Sequence, residues 1–272
     1  MHKKLSIITI NHNNKNGLEK TINSVLGQVW KDFEYIIIDG NSDDGSKELV
    51  NNPKNKFSYC ISEPDTGIYN AMNKGIKAAK GEYLLFLNSG DQLNDPSTLK
   101  SIESYLNGEI GIYYGNANYI EKKGEVTRAY PKNLSFSFFM AHNLSHQASF
   151  IKRSLFDDFM YNETYQIVSD WEFFIYKICK QNVSYKYLDL NICKYDTEGI
   201  SSSKANHSLM QSERAQTIQK YFPLFVDDYA YIKALQSKKV SQFVHLKKYP
   251  LAWFIVKSVM KLMLLFIPKT SK

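Results

Sequence analysis

Residues able to do chemistry recur at four places in the first 91 positions, each time directly after a short apolar run. Leu5–Ile10 runs into Asn11-His12-Asn13-Asn14, and Glu34–Ile38 into Asp39-Gly40-Asn41-Ser42. Phe57–Ile61 is followed by Glu63-Pro64-Asp65, and Tyr83–Leu87 by Asn88-Ser89-Gly90-Asp91. Carboxylates and amides in such places accept hydrogen bonds from sugar hydroxyls and base N–H groups, and a carboxylate can hold a hard divalent ion through oxygen. Asp39 suits hydrogen bonding to a nucleobase or ribose, while the nearby Asp43, Asp44 and Ser46 suit capping of the next helix. Asp91 suits a cation that offsets charge on a leaving diphosphate, or simply a turn. Further on, Asp170 opens Asp170-Trp171-Glu172-Phe173-Phe174. A carboxylate against an aromatic wall suits a general base acting on a hydroxyl, and equally a helix N-cap beside a buried Trp171. His146 precedes a short strand signal and suits contact with a diphosphate, a metal or an acceptor, or a structural hydrogen bond.

The elements that must position these groups alternate. Gly17–Gln28 has Leu18, Ile22, Val25 and Leu26 on one helical face, and Asp43–Val50 and Ile68–Ala79 follow as turn-plus-helix and helix. Continuous apolar strands alternating with helices predict a mostly parallel sheet covered on both faces. In such sheets ligands sit beyond the carboxyl ends of the strands, where all four polar clusters fall. The second half is less regular. Strands are expected at Ile110–Tyr119 and Glu125–Tyr130 around a Lys122-Lys123-Gly124 turn, then at Ala148–Ile151 and Val183–Leu188. Helices are expected at Asp170–Cys179, at Ser208–Tyr221 and through the last 50 residues.

Taken together, the segments from about Leu5 to Tyr195 resemble the family 2 glycosyltransferases of GT-A fold. The likeness rests on Leu5-Ser6-Ile7-Ile8-Thr9-Ile10-Asn11, Tyr35–Ser46, Glu63-Pro64-Asp65-Thr66-Gly67-Ile68-Tyr69-Asn70-Ala71-Met72-Asn73-Lys74-Gly75 and Gly81–Asp91, in that order. The third segment is typical of members that build exopolysaccharide and lipopolysaccharide. The resemblance implies an inverting transfer of sugar from a nucleotide-sugar, usually a UDP-sugar, to an acceptor hydroxyl. Asp39, with Thr9, Asn11 and Ser42, would hold the base, and Asp65 the ribose and diphosphate region. Asn73, Asn88, His146 and Trp171 join the expected substrate-binding set. Asp91 would be the carboxylate facing Mn²⁺ or Mg²⁺, and Asp170 the base. Two departures stand out. The family's Asp-x-Asp motif is reduced here to Asn88-Ser89-Gly90-Asp91, and Ser169 stands where the family commonly has Glu.

The 272 residues carry a net charge of +7, and the excess has an address. From Tyr229 onward there are nine lysines and no acid, so the tail holds +9 and the rest of the chain −2. Within that tail Pro250 can start a helix, and Leu251–Ile267 is apolar except for Lys257, Ser258 and Lys261 on one narrow face. Seventeen residues with two central lysines make a poor span but a good in-plane helix, with lysines 247, 248, 257, 261, 269 and 272 toward headgroups. Packing onto the catalytic domain is the alternative. The expected organisation is thus a GT-A domain over 1–220 and a basic helical extension over 221–272. The enzyme would be cytoplasmic, peripheral at the inner face of the membrane, with a glycan or polyprenyl-linked acceptor. Nucleic acid is not an expected partner, because the lysines accompany an apolar helix rather than a basic groove. A silent nucleotide-sugar-binding partner of an assembly complex is the second reading, motivated by the reduced motif. Cys60, Cys179 and Cys193 lack metal spacing and lie in apolar runs, which predicts buried free thiols in a reducing compartment. No phosphate-binding P-loop, dinucleotide glycine motif, serine elbow or signal-peptide core is present.

Overall fold

The computed structural model describes residues 3–53, 55–121, 124–197, 204–235 and 237–267. Contacts divide it into two compact units, one up to Tyr221 and one from Phe222 onward.

The first unit opens with β1 (Leu5–Asn11), α1 (Lys15–Leu26), β2 (Phe33–Asp39), α2 (Ser46–Val50) and β3 (Tyr59–Ser62). It continues through α3 (Ile68–Ala78), β4 (Tyr83–Phe86), β5 (Gln92–Leu93) and α4 (Thr98–Ile102). Then come β6 (Ile112–Glu121), β7 (Gly124–Arg128), α5 (Phe136–Ala141), β8 (Ser149–Lys152), α6 (Ser169–Ile175), β9 (Tyr185–Asp196) and α7 (His207–Tyr221). The nine strands form one sheet in the order β3-β2-β1-β4-β8-β6-β9-β5, with β7 paired to β6.

Strands β3, β2, β1 and β4 are all parallel, as the alternating pattern predicts. Beyond β4 the sheet is mixed: β8 runs antiparallel to β4 and β6, while β9 runs parallel to β6. The two faces of the parallel half are covered by different helices. Leu18, Ile22 and Val25 of α1 share a core with Leu5, Ile7, Tyr35 and Ile37. Gly75 of α3 lies against Ile8 and Ile38, on the opposite pleat; a Cβ there would come within 2.4 Å of Ile8. Only glycine lets α3 approach so closely.

Strand β9 is longer than the Val183–Leu188 expected, reaching Asp196, because it pairs with nearly all of β6 across a register irregularity around Asn116. The helix expected over Asp170–Cys179 is α6 followed by a π-helical turn, Tyr176–Lys180. Of the Lys122-Lys123-Gly124 turn, the two lysines lie outside the described residues. The cysteines are unpaired, but only Cys193 is buried; Cys60 is exposed because β3 is the edge strand, which corrects the expectation of three buried thiols.

The second unit holds α8 (Val226–Leu235), α9 (Lys238–Leu246) and α10 (Pro250–Leu264). Phe243 and Trp253 meet edge to face at 5.3 Å, joining α9 to α10. Along α10 many of the apolar side chains are exposed: Leu251 is 76% exposed, Phe254 66% and Leu262 60%, and Phe266 just beyond is 82% exposed. Among the described residues no helix is long and apolar enough to cross a membrane.

Candidate active site

The strand register builds the first part of the site. Asn11 stands opposite Asp39, and Asp39 opposite Ser62, at the carboxyl ends of three adjacent parallel strands. Residues in register on parallel strands point to the same face, so their side chains meet. Asn11 Nδ2 donates to Asp39 Oδ1 at 2.8 Å, and Ser62 Oγ to Oδ2 at 2.5 Å. Ser42 closes the ring, with Oγ donating to Oδ1 at 2.6 Å and its N–H to Oδ2 at 3.0 Å. Burial pushes the Asp39 carboxyl up, but these donors outweigh it and hold it below the usual carboxylate range. Asp39, fully buried, therefore organises the loop rather than presenting an oxygen at the surface. Asn11 Oδ1 is buried beside it without a partner.

Gly40 sits where the strand ends crowd. A Cβ there would lie 3.1 Å from both Asp65 Oδ2 and His12 Nδ1. Asp65 is held by Lys74, whose ammonium reaches Asp65 Oδ1 at 2.7 Å, Glu63 Oε1 at 2.8 Å and the Pro64 carbonyl at 2.9 Å. Lys74 comes from the second half of α3, so the Glu63-Pro64-Asp65 loop is tied to the helix that follows it.

The second part gathers around Asp170, on the first turn of α6. Its Oδ1 accepts from the Tyr69 hydroxyl at 3.2 Å and from Trp171 N–H at 2.8 Å. Its Oδ2 accepts from Asn143 Nδ2 at 2.9 Å and faces His146 Nδ1 at 3.1 Å. Burial raises the Asp170 pKa, and the bonds from His146, Trp171 and Asn143 more than offset it, leaving the group ionised below the usual range. The loop ahead of α6 is pinned by Glu213 of α7, whose carboxylate accepts from the N–H groups of Gln166, Ile167 and Val168 at 2.7–3.1 Å. Ser169 Oγ accepts from Asn162 N–H at 2.5 Å. His146 in turn reaches the motif after β4, with Nε2 3.5 Å from Asn88 Nδ2. Asn88 Oδ1 and Asn143 Oδ1 have no partner.

Asp91 is turned inward. Its Oδ1 accepts from Asp196 N–H at 3.0 Å, and its Oδ2 from Gln147 Nε2 at 3.0 Å and Asn88 N–H at 3.2 Å. Burial pushes its pKa up to about 6. Among the described residues no three His, Cys, Asp or Glu side chains gather into a group able to hold a metal ion. The described side chains thus do not fit a divalent-ion shell, since the motif's one carboxylate is engaged by protein donors.

Of the expected residues, the fold brings Asn11, Asp39, Ser42 and Asp65 together at one place, and Asn88, His146 and Asp170 at another. Three expected substrate contacts lie elsewhere. Thr9 is buried with Oγ1 3.1 Å from the Tyr35 hydroxyl. Asn73 fastens the following loop, donating to the Tyr161 carbonyl at 2.9 Å and accepting its N–H at 3.1 Å. Trp171 is fully buried, its Nε1 donating to the Phe139 carbonyl at 2.7 Å. Tyr69, Asn143, Gln147, Asp196 and Glu213 were not anticipated. Tyr69 lies inside the distinctive Glu63–Gly75 segment, but no local pattern says that its hydroxyl meets a carboxylate 101 positions away.

Comparison with known proteins identifies the family. The Glycosyl transferase family 2 profile matches residues 6–160. An uncharacterized glycosyltransferase of Mycobacterium tuberculosis is 31% identical over 207 residues, 74% of this chain and 78% of that protein. A Mycobacterium bovis glycosyltransferase of PGL/p-HBAD biosynthesis is 30% identical over 67% of this chain and 72% of its own length. A Campylobacter jejuni GalNAc(5)-diNAcBac-PP-undecaprenol beta-1,3-glucosyltransferase is 30% identical over 60% of this chain and 56% of that one. Among solved structures, S. aureus TarS bound to UDP-GlcNAc superposes with a TM-score of 0.63 at 18% identity, covering 80% of this chain and 67% of that one. The mannosyltransferase PcManGT of Pyrobaculum calidifontis, bound to GDP-Man and Mn²⁺, gives 0.60 at 14% identity over 97% of this chain and 81% of that one. These two show the fold alone, which is GT-A. The chain belongs to glycosyl transferase family 2, and it is a transferase.

Proposed function

We propose that this chain transfers a sugar from a nucleotide-sugar, in the first instance a UDP-sugar, to a hydroxyl of a lipid-linked glycan, inverting the anomeric configuration. The observation that carries the reading is the Asp170 carboxylate gathered with His146, Asn143 and Tyr69 at the start of α6, a basic centre suited to an acceptor hydroxyl. The ring of Asn11, Asp39, Ser42 and Ser62, with Asp65 beside it, shapes the end of the sheet where the nucleotide lies. The Campylobacter relative's name, with its undecaprenol-linked substrate, supports a lipid-linked acceptor.

The apolar face of α10, flanked by Lys247, Lys248, Lys257 and Lys261, seats the enzyme on an anionic membrane surface at its inner face. Lys269 and Lys272 lie outside the described residues. Residues 1–220 act as the catalytic domain and 221–272 as the membrane-associating extension. The inward-turned Asp91 favours one other reading, a silent nucleotide-sugar-binding partner of an assembly complex.

The deciding experiment offers the purified protein a panel of UDP- and GDP-sugars with Mn²⁺, Mg²⁺ or EDTA and reads released nucleotide. Release from one donor, lost in Asp170→Asn, establishes the transferase and removes the silent partner. Donor binding by calorimetry without release from any mixture, acceptor glycolipids included, would favour the silent partner. Loss with EDTA alone would give the site a metal ion, whereas survival in EDTA leaves departure of the diphosphate to the protein.

A further inference from the structure

Asp170 sits between two stretches of chain that one helix holds. On α7, Glu213 and Thr217 are one turn apart, with Arg214 beside them. Glu213 is 4% exposed; its Oε1 accepts from Gln166 N–H at 2.7 Å, and its Oε2 accepts from the N–H groups of Ile167 and Val168, each at 3.1 Å. Thr217 Oγ1 lies 3.2 Å from the Tyr165 hydroxyl. Past Asp170, the Arg214 guanidinium lies over the Trp171 ring, 4.8 Å from its centroid. Three neighbouring side chains of α7 thus grip residues 165–168 and 171, and only Ser169 and Asp170 lie between. Helix α7 also falls beyond residues 6–160, the stretch that the family profile matches.

The grip at Val168 sets where α6 begins. Its N–H is fixed by Glu213, and its carbonyl accepts from Glu172 N–H at 2.8 Å, the bond that opens the helix. Asp170 is two residues further on, so two peptide units carry the anchor to its carboxylate. The partners of that carboxylate come from elsewhere: Tyr69 from α3, and Asn143 and His146 from the segment between α5 and β8. Hydrogen bonds of about 3 Å to independently held groups survive a displacement of only a fraction of an ångström. Without Glu213, the N–H groups of the buried Ile167 and Val168 would lose their acceptor, and the loop would shift to find another.

We propose that Glu213 is a positioning residue for the transfer. It touches no substrate; by holding residues 166–168 it sets the start of α6, so that the Asp170 carboxylate meets the acceptor hydroxyl. This rests on the reading of Asp170 as the base of a sugar transfer.

The full-length Glu213→Gln variant tests it. The amide keeps the size of the side chain but puts an NH₂ group where one oxygen accepted. Donor-binding sites counted by calorimetry normalise the turnover, so unfolded protein is not scored as lost catalysis. On whichever donor of the UDP- and GDP-sugar panel is cleaved, kcat per binding site should fall about 10-fold, while the donor KM changes by less than about threefold. The acid limb of the kcat–pH profile, which reports Asp170, should move up by about half a pH unit or more as donors leave its carboxylate. The titratable groups facing Asp170 are Tyr69, Tyr161 and His146. Glu213 faces Glu172 and Tyr165, with Arg214 next to it on α7. Loss of the Glu213 charge alone would lower the carboxylates around it, so an upward shift reports lost hydrogen bonds. A kcat per site within about threefold of the unsubstituted protein, or a fall with the acid limb unmoved or moved down, leaves Glu213 a structural role and overturns the proposal. If Glu213→Gln does not fold, Glu213→Asp, which keeps the carboxylate but draws it back by one methylene, is read by the same outcomes. An unsubstituted enzyme inert toward every donor would sink the transferase reading itself, whereas an active one with an unaffected Glu213 variant sinks only this proposal.

Discussion

The carboxylate of Asp196 occupies the space that a side chain at Gly90 would fill: a Cβ at Gly90 would lie 2.9 Å from Asp196 Oδ2. Gly90 is the middle of the reduced motif, and Asp196 ends β9, so a carboxylate from the far side of the sheet stands where the motif itself has none. Gly90 also has φ of +108°, a conformation that L side chains rarely adopt. Gly90→Ala should therefore destabilise the protein by about 1–2 kcal/mol in urea unfolding. Gly90→Asp, which writes a second carboxylate into the motif, should cost more by adding like-charge repulsion. Asp196→Ala should recover part of the Gly90→Asp loss, and absence of that coupling would show that the two positions do not share the space.

Asp91 makes stability depend on pH in an unusual direction. Its folded pKa, raised by burial to about 6, lies above the unfolded value near 3.8. The folded state therefore holds a proton that the unfolded chain releases, and the associated stability is full below the unfolded value and lost as pH rises through about 6. Relative to Asp91→Asn, the unsubstituted protein should lose about 2 kcal/mol of stability between pH 4 and pH 8. Asp170 works oppositely, because its pKa is lowered: its contribution is present above the unfolded carboxylate value and lost as pH falls through the folded one. Chemical denaturation of both variants across pH separates the two, and a flat Asp91→Asn difference would contradict the buried, desolvated placement.

Asp39 closes a four-donor ring, so its removal should be felt in the fold before any ligand is present. Asp39→Ala leaves Asn11, Ser42 and Ser62 donors unmatched in a buried place. A loss of about 3 kcal/mol is expected in thermal or urea unfolding. Donor binding by calorimetry should weaken in step, since the loop from Asp39 to Ser42 loses its anchor. Unchanged stability would mean that the ring opens readily to solvent.

The exposed face of α10 should bind vesicles. Full-length protein should sediment with vesicles containing phosphatidylglycerol and less with pure phosphatidylcholine. Phe254→Glu with Leu262→Glu should abolish sedimentation while leaving nucleotide release from a soluble donor unchanged. Equal sedimentation of that variant would assign binding to the lysines alone, and no sedimentation of the unsubstituted protein would leave α10 to a protein partner.

Much of the fold is legible in the sequence. The β1, β2 and β4 runs are continuous and apolar because those strands are buried on both faces, and their polar ends mark the rim. Asp39, Asp65 and Asp170 were identifiable as candidate site carboxylates from their places after strands and at a helix start. Side-chain direction was not legible. Thr9, Asn73 and Trp171 have the right chemistry in the right segments, but their side chains point into the protein, and pleat and helix phase within a motif are settled by packing. The mixed half of the sheet was harder still, because the length of β9 is set by its pairing with β6 rather than by its own residues.

By itself the sequence determined the order of the elements, the strand-end placement of the polar clusters and the concentration of positive charge beside one apolar helix. These are local properties: periodicity, turn chemistry and composition act over a few residues. Only the tertiary structure decided which donors hold each carboxylate. Asn11 meets Asp39 across 28 positions, Gln147 meets Asp91 across 56, and Tyr69 meets Asp170 across 101. Such partners are chosen by strand register and helix docking, because a buried carboxylate takes its hydrogen bonds from whatever the packed chain brings within about 3 Å. That choice turned Asp91 inward and gathered Tyr69, Asn143 and His146 around Asp170.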